Sequence, residues 1–392
     1  MSHLRIDPIT SYDAWLDLEP IWNPLLVRSD ADTVFLTFEW LTTWWQCFGG
    51  DGDLLALVVR RGEEPIALAP LMVAREPNGG RRQAHIRFLA NAYSMRANFI
   101  LADERPAAME AVFDYLGHAD LAWERMTFDY MPEDSSAHAL APVACRRSRL
   151  RCGFVPSLIS PYTTLEGADW ETILGRMSPS FRKHLLRHER KLLDRGCART
   201  IVYSDRETLE QALHACREVA LTTWQHAEGS SIASSQTVWE FYRRFAEIAA
   251  LRGWLRIGIL EARGQPIAFA YDLLYRHVMY DLKNGYRPAS RGHSPGHVLR
   301  ASMVRHALAS GAAEYDMLGM NEEHKTHWAT GVRRHACLCV AGPGLGQAFG
   351  HWLRFEVRPR LRRWPPAMAL KQWLDARQSR SDIPRKGLVR SK

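Results

Sequence analysis

The chain has 392 residues, 46% of them apolar and 24% charged, which places it in the globular range and beyond the size of one compact core, so two domains are expected. Its formal charge of +8 is unevenly spread: residues 354–392 hold twelve Lys or Arg against Glu356, Asp375 and Asp382, a net of +9, leaving the preceding residues close to neutral. Seven cysteines, an odd number with no C-x-x-C pair, argue against a disulfide framework and for reduced thiols.

The first residues carry acids early and lack a basic start followed by an apolar run, so neither a secretory nor a transit leader is expected. The longest nearly apolar stretch, residues 65–74, falls short of the roughly 20 residues needed to span a bilayer. A cytoplasmic protein without a transmembrane helix is the expectation.

Residues 55–71 (LALVVRRGEEPIALAPL) read as two apolar strands around a turn at Gly62, and residues 256–273 (RIGILEARGQPIAFAYDL) repeat the pattern around Gly264. Glycine supplies the backbone angles that tight strand reversal needs. A second echo follows in each half, where Phe128-Asp129 in RMTFDYMP corresponds to Tyr315-Asp316 in AEYDMLGM. Two matches in the same order argue for a duplicated α/β domain. The boundary is expected in the Pro-, Ser- and Thr-bearing stretch 156–170, giving domains at 1–160 and 161–345 and a basic tail at 346–392.

Ser178 as N-cap, Pro179 in the first turn and Gly196 as C-cap delimit a long basic helix. Phe181, Leu185, His188 and Leu192 share its inward face; Arg182, Lys183, Arg187, Arg190, Lys191 and Arg195 form either a solvated face or a collar for an anionic ligand. Two amphipathic helices follow, at 211–224 and 236–252, joined by the polar loop 226–235.

The stretch 279–308 reads as strand, Gly- and Pro-rich loop and helix. In Arg291-Gly292-His293-Ser294-Pro295-Gly296 small residues let the backbone approach a ligand, and the helix N-terminus favours negative charge. It is a phosphate-cradle candidate, not a Walker loop. Next comes residues 315–328, YDMLGMNEEHKTHW, a strand end followed by ionisable side chains, where α/β folds keep their sites. Asp316, Glu322, Lys325 and Tyr280, Tyr286 and Tyr315 are the local supply for acid–base work, with a bracing role for Asp316 equally open. His324 and His327 lack an H-E-x-x-H context or a third ligand, so no metal is expected. No G-x-S-x-G elbow occurs, which sets aside serine-hydrolase chemistry.

These residues resemble the GNAT-type acetyltransferase domain of the CelD/BcsL proteins associated with cellulose biosynthesis, relatives of the Fem-type aminoacyl transferases. The resemblance rests on Ser-Phe-Arg-Lys-x-Leu-x-Arg at 180–187, Trp224, the G-x-P-I-A-x-A hairpin, Ser294-Pro295-Gly296, and 316–328 with Gly319, Lys325 and Trp328. It is best from about 170 to 335, and Phe38-Glu39-Trp40 with Trp44-Trp45 looks like the family's opening motif.

The resemblance implies a tandem duplicated GNAT (acyl-CoA N-acyltransferase) fold, with mixed central sheets flanked by helices. It implies an acetyl-CoA or other acyl-CoA donor held by residues 291–296, and a small-molecule or saccharide acceptor in the groove between domains. The N-terminal copy has no phosphate loop between residues 90 and 106, so it is expected to be structural or acceptor-binding. The expected mechanism is direct attack of an amine or hydroxyl on the thioester, with Asp316 or a water it orients as base and Tyr286 protonating sulfur. Lys325 would contact an anionic group, and Trp224, His226 and Glu322 would line the acceptor site. Two alternatives stay open: a Fem-like aminoacyl-tRNA-dependent transferase, in which the basic segments meet nucleic acid, and a non-catalytic accessory protein of a polysaccharide synthase complex. In the acyl-CoA reading no nucleic-acid partner is expected. The tail, with Trp352, Leu353, Phe355, Leu361, Trp364, Leu370 and Trp373 among its cations, would either touch a membrane or complex or remain a solvated end.

Overall fold

The computed structural model describes residues 4–50, 52–78, 81–118, 123–194, 198–342, 344, 353 and 355. The first half contributes strands β1 (Leu4–Ile9), β2 (Asp53–Arg61), β3 (Glu64–Asn78), β4 (Arg81–Phe88), β5 (Ile100–Leu101), β6 (Arg125–Pro132) and β7 (Cys152–Thr164). The second contributes β8 (Ala198–Tyr203), β9 (Leu255–Ala262), β10 (Gln265–Tyr275), β11 (Val278–Tyr286), β12 (Glu314–Asp316) and β13 (Gly331–Ala341). All join one sheet in the order β1-β2-β3-β4-β6-β13-β7-β12-β11-β10-β9-β8, with β5 paired to β3.

That order is a repeat read from both ends. In each half an antiparallel meander, β1 to β4 or β8 to β11, is followed by a helix, Arg105–His118 or Pro295–Ala309, and then by a strand parallel to the last one, β6 or β12. The hairpins match down to their irregularity. In β2–β3 the register jumps from Val59↔Ala67 to Arg60↔Pro65, leaving Ile66 unopposed, and in β9–β10 it jumps from Pro266↔Glu261 to Ala268↔Leu260, leaving Ile267 unopposed. The isoleucine of Pro-Ile-Ala is thus the bulged residue in both halves. Such bulges re-aim a strand and are designed features. Positive φ at Gly62 (61°), and at Arg263 (51°) and Gly264 (74°), closes the two turns.

The last strand of each half crosses to the other. β7 pairs with β12, β13 pairs with β6, and β7 and β13 pair with each other at the centre. Residues 156–164, taken from composition as part of a boundary, therefore lie inside a central strand: Pro156 and Pro161 sit in β7, and Ser160 is fully buried. The halves also share a core. Trp40, on the helix Phe38–Phe48, packs edge-on against Phe241 (5.0 Å) and Phe245 (4.7 Å) of the helix Gln236–Leu251, and Phe35 meets Tyr280 at 5.5 Å. Aromatic pairs of this kind contribute about 0.5–1.5 kcal/mol beyond their buried area.

The basic helix runs Pro179–Glu189 with Ser178 Oγ accepting from the Phe181 N–H, and continues as a π-turn through Arg190–Asp194. Phe181, Leu185, His188 and Leu192 are all buried, while Arg182, Lys183, Arg187, Arg190 and Lys191 are exposed. Gly196 and, apart from Leu353 and Phe355, the basic tail 346–392 lie outside the described residues. Cys337 and Cys339 share one face of β13 with sulfurs 3.9 Å apart. No described helix is long and apolar enough to cross a membrane.

Candidate active site

A cavity of about 1090 Å³ lies between the halves. The second half supplies the end of β11, the helix Pro295–Ala309 and the segment after β12; the first supplies Tyr93 and Met95, Asp129 and Tyr130 from β6, and Pro156 to Leu158 from β7. On the β11 side the wall is shaped by a second register jump. Tyr271 opposes Lys283 but Asp272 opposes Asp281, so Leu282 is extra. Through this bulge Asp281, Leu282, Lys283 and Asn284 all reach the cavity.

One end of the cavity is the start of the helix Pro295–Ala309. Ser294 is left-handed (φ 51°, ψ 47°) and its side chain caps no helical N–H; its Oγ lies instead 2.9 Å from His184 Nε2. Pro295 has no N–H to leave unpaired, and Gly296 keeps the approach open: a Cβ there would stand 3.4 Å from the Tyr286 ring. The N–H groups of His297 and Val298 donate to Ser294 O (3.1 and 3.2 Å), so the Gly296 N–H and the positive dipole end are what this helix start offers a phosphate. Arg291, Ser294, Pro295 and Gly296 line the cavity; Gly292 and His293 are exposed on the same turn but outside the lining. His184 brings the basic helix alongside, and a bidentate ion pair of Arg305 with Glu189 locks the two helices together. His297 Nδ1 accepts from Trp328 Nε1 at 3.2 Å. Burial first, then Arg300 and three neighbouring histidines, depress the His297 pKa to about 3, so its imidazole is neutral with Nε2 left as the donor.

The floor holds a cluster absent from the sequence reading. Asp281 is buried, accepts from Asn284 Nδ2 (2.9 and 3.1 Å) and pairs with buried Arg300 at 3.1 Å. Opposite it Asp272, fully buried, accepts from the Tyr315 hydroxyl at 2.8 Å, and its Oδ1 has no partner. Burial, then the charge of Asp281, holds the Asp272 carboxyl well above the usual range. The proton is therefore held on Asp272, beside an Asp281 carboxyl that is engaged by Arg300. The available signal was two acids in otherwise apolar strands and an arginine, Arg300, on an apolar helix face.

Asp316 is not in the cavity. It is fully buried, accepts from the Leu318 N–H at 2.9 Å, and is ion-paired with Arg333 at 3.2 Å and with Arg96 of the first half. Its carboxylate is occupied by two guanidiniums, so the structure places the residue expected as base outside the cavity, in the position of a brace. Tyr286, Glu322 and Lys325 do line the cavity. Lys325 is buried, donates to Leu318 O (3.0 Å) and pairs with Glu322 at 3.2 Å. His226 is half-buried and does not line the cavity, although its neighbour Gln225 does; the Trp224 side chain lies outside the described residues. Among the described residues no group of three or more His, Cys, Asp or Glu could hold a metal ion.

Residues 179–326, which contain the helix start and the aspartate pair, match the family described as "Acetyltransferase (GNAT) domain". No functionally curated protein matches the sequence. Among solved structures, the crystal structure of FemX is similar with a TM-score of 0.56 at 12% identity, covering 85% of this chain and 96% of that one. The structure of L-PGS from Bacillus licheniformis is similar with a TM-score of 0.52 at 12% identity, over 85% of this chain and 95% of that one. A conserved protein of unknown function from Bacteroides thetaiotaomicron gives 0.53 at 13% identity, over 86% and 100%. At such identities the likeness is one of fold. Residues 179–326 thus match a GNAT-type acetyltransferase domain, within a chain whose two halves repeat one fold and exchange their last strands.

Proposed function

We propose that the protein transfers an acetyl or other acyl group from acyl-CoA to an amine or hydroxyl acceptor in the cavity between its halves. The observation that carries this reading is the open start of the helix Pro295–Ala309, with Arg291 beside it, facing the same cavity as the Asp281 carboxyl that pairs with Arg300. Arg291 and the Gly296 backbone would hold the donor's pyrophosphate, and Gly296 admits it because it has no side chain. The acceptor attacks the thioester carbonyl; the new C–N or C–O bond forms as C–S breaks. In place of Asp316, Asp281 takes the acceptor's proton, and Tyr286, packed over Gly296, returns one to the departing sulfur. A saccharide of the envelope or of an exopolysaccharide is the acceptor class that the family resemblance favours.

The test is calorimetry with acetyl-CoA and coenzyme A on wild type, Arg291→Ala and Gly296→Asp. Micromolar binding that both variants lose supports the donor site. Wild type that binds neither compound refutes it.

An aminoacyl-tRNA donor is the second reading, supported by Arg182, Lys183 and Arg187, exposed on the helix whose His184 touches the cradle. Loss of activity on treatment with ribonuclease, and a steep fall with salt, would favour it over acyl-CoA.

A further inference from the structure

At the cavity wall away from the helix start, Lys283 is a cation without an anion. Its Nζ donates to the Ser230 carbonyl at 2.9 Å and lies over the rings of Tyr93 (4.9 Å) and Tyr242 (6.0 Å). Among the described residues no carboxylate pairs with it, and the charged group that acts on it is another ammonium, that of Lys325. An ammonium has three donors; one serves Ser230 O, and the Lys283 side chain lines the cavity. Lys325 pairs with Glu322 at 3.2 Å and is also attracted by Asp281, whose own ion pair is with Arg300, so Lys283 is the ammonium at this end left without an ion pair among the described residues. A desolvated, underpaired cation is costly in a closed core but is the arrangement expected of a subsite completed by an anionic ligand.

The position favours the acceptor over the donor. Lys283 precedes Tyr286 by three residues on β11, about 10 Å along a strand, and Tyr286 is the residue against Gly296. Its contacts are instead Tyr93 of the first half and the 225–230 segment.

We infer that Lys283, with Lys325 behind it, receives a carboxylate or phosphate group carried by the acyl acceptor. This rests on the acyltransferase reading and narrows its acceptor to an anionic amine or alcohol. Burial, then the charge of Lys325, depresses the Lys283 pKa to about 8. Tyr93, Tyr242 and Lys325 are the titratable groups that face it, and Tyr242 is held neutral by burial. The subsite is therefore charged below pH 8 and loses its charge as pH rises through that value.

Calorimetric titration with inorganic phosphate and, separately, acetate decides the matter on wild type, Lys283→Met, Lys283→Arg and Arg291→Ala. The expected result is a site that Arg291→Ala keeps and Lys283→Met weakens at least tenfold. In wild type it should weaken between pH 7 and 9, and in Lys283→Arg it should persist at pH 9, because a guanidinium stays charged. The acetate arm reports whether carboxylates are accepted as well as phosphates. Anion binding that only Arg291→Ala abolishes, or that Lys283→Met leaves unchanged, overturns the inference and leaves the donor site standing. Failure of wild type to bind acetyl-CoA removes the donor reading, while a loss specific to Lys283→Met would still establish the anion subsite.

Discussion

Asp272 and Asp281 stand opposite each other in register across β10 and β11, and only Asp281 has a cation, Arg300 at 3.1 Å. Removing one or the other should therefore have opposite consequences. Asp281→Asn leaves the Arg300 guanidinium buried and unpaired, a loss of about 3–5 kcal/mol for a buried ion pair. Asp272→Asn keeps an oxygen for the Tyr315 hydroxyl and puts a neutral amide where the folded protein already holds a neutral carboxyl. It should change the urea midpoint little at neutral pH. The raised Asp272 pKa means that the folded state holds a proton the unfolded state has released. That contribution to stability is present at low pH and lost as pH rises through the folded pKa, so Asp272→Asn should flatten the fall in stability that begins above the ordinary carboxyl pKa. Equal destabilisation by both substitutions would refute the assignment of the proton to Asp272.

Acid unfolding should be carried in part by His335. Burial first, then Arg96 and Arg333, depress its pKa to about 3, below the roughly 6.5 of an unfolded histidine. Between those values the unfolded chain binds the proton and the folded one does not, so stability falls as pH falls through the window. His335→Asn should remove up to one proton from the linkage, reducing the slope of unfolding free energy against pH by up to about 1.4 kcal/mol per pH unit between pH 4 and 6. Denaturant titrations at several pH values measure it, and an unchanged slope would count against it.

Asp316→Asn should act through stability and not through donor binding. The carboxylate joins Arg333 of β13 to Arg96 of the first half, and without it two guanidiniums face each other in the interior. The burial already depresses the Arg96 pKa to about 10. A loss of about 3–5 kcal/mol is expected, with acetyl-CoA affinity in the folded fraction within threefold of wild type. An unchanged unfolding midpoint with abolished turnover would instead restore Asp316 to the catalytic role the motif suggested.

The repeated hairpins were legible because Pro-Ile-Ala-x-Ala encodes a local geometry, a bulge at Ile66 and Ile267 beside a glycine turn, that both halves preserve. The basic helix was legible for a similar reason, since Ser178, Pro179 and the spacing of Phe181, Leu185, His188 and Leu192 act within a few residues of one another. The strand exchange was not. Which partner β7 pairs with depends on residues about 170 positions away, and its prolines and serines, lodged in a central strand, looked like a linker. In the site, the motif's acid Asp316 proved to be buried between arginines, whereas Asp281 is brought to the cavity by a bulge that depends on its cross-strand partner. Lys283 was passed over because its missing carboxylate is visible only once the neighbouring elements are in place.

Tyr286→Phe separates donor binding from chemistry. The ring is the part of Tyr286 that meets Gly296, so phenylalanine preserves the wall of the cradle and should leave the acetyl-CoA dissociation constant within twofold. Only the hydroxyl is lost. A positioned proton donor contributes roughly 10²–10⁴-fold, and kcat should fall by about a hundredfold with an acceptor found by screening. The demand for that proton depends on the basicity of the departing thiolate, so an acetyl arylthioester, whose thiolate leaves without protonation, should show a much smaller difference between wild type and variant. An equal loss with both thioesters would mean that the hydroxyl orients the donor and does not protonate the sulfur, and the acid would then have to be sought among the other phenols on the cavity wall, Tyr93, Tyr130 and Tyr315.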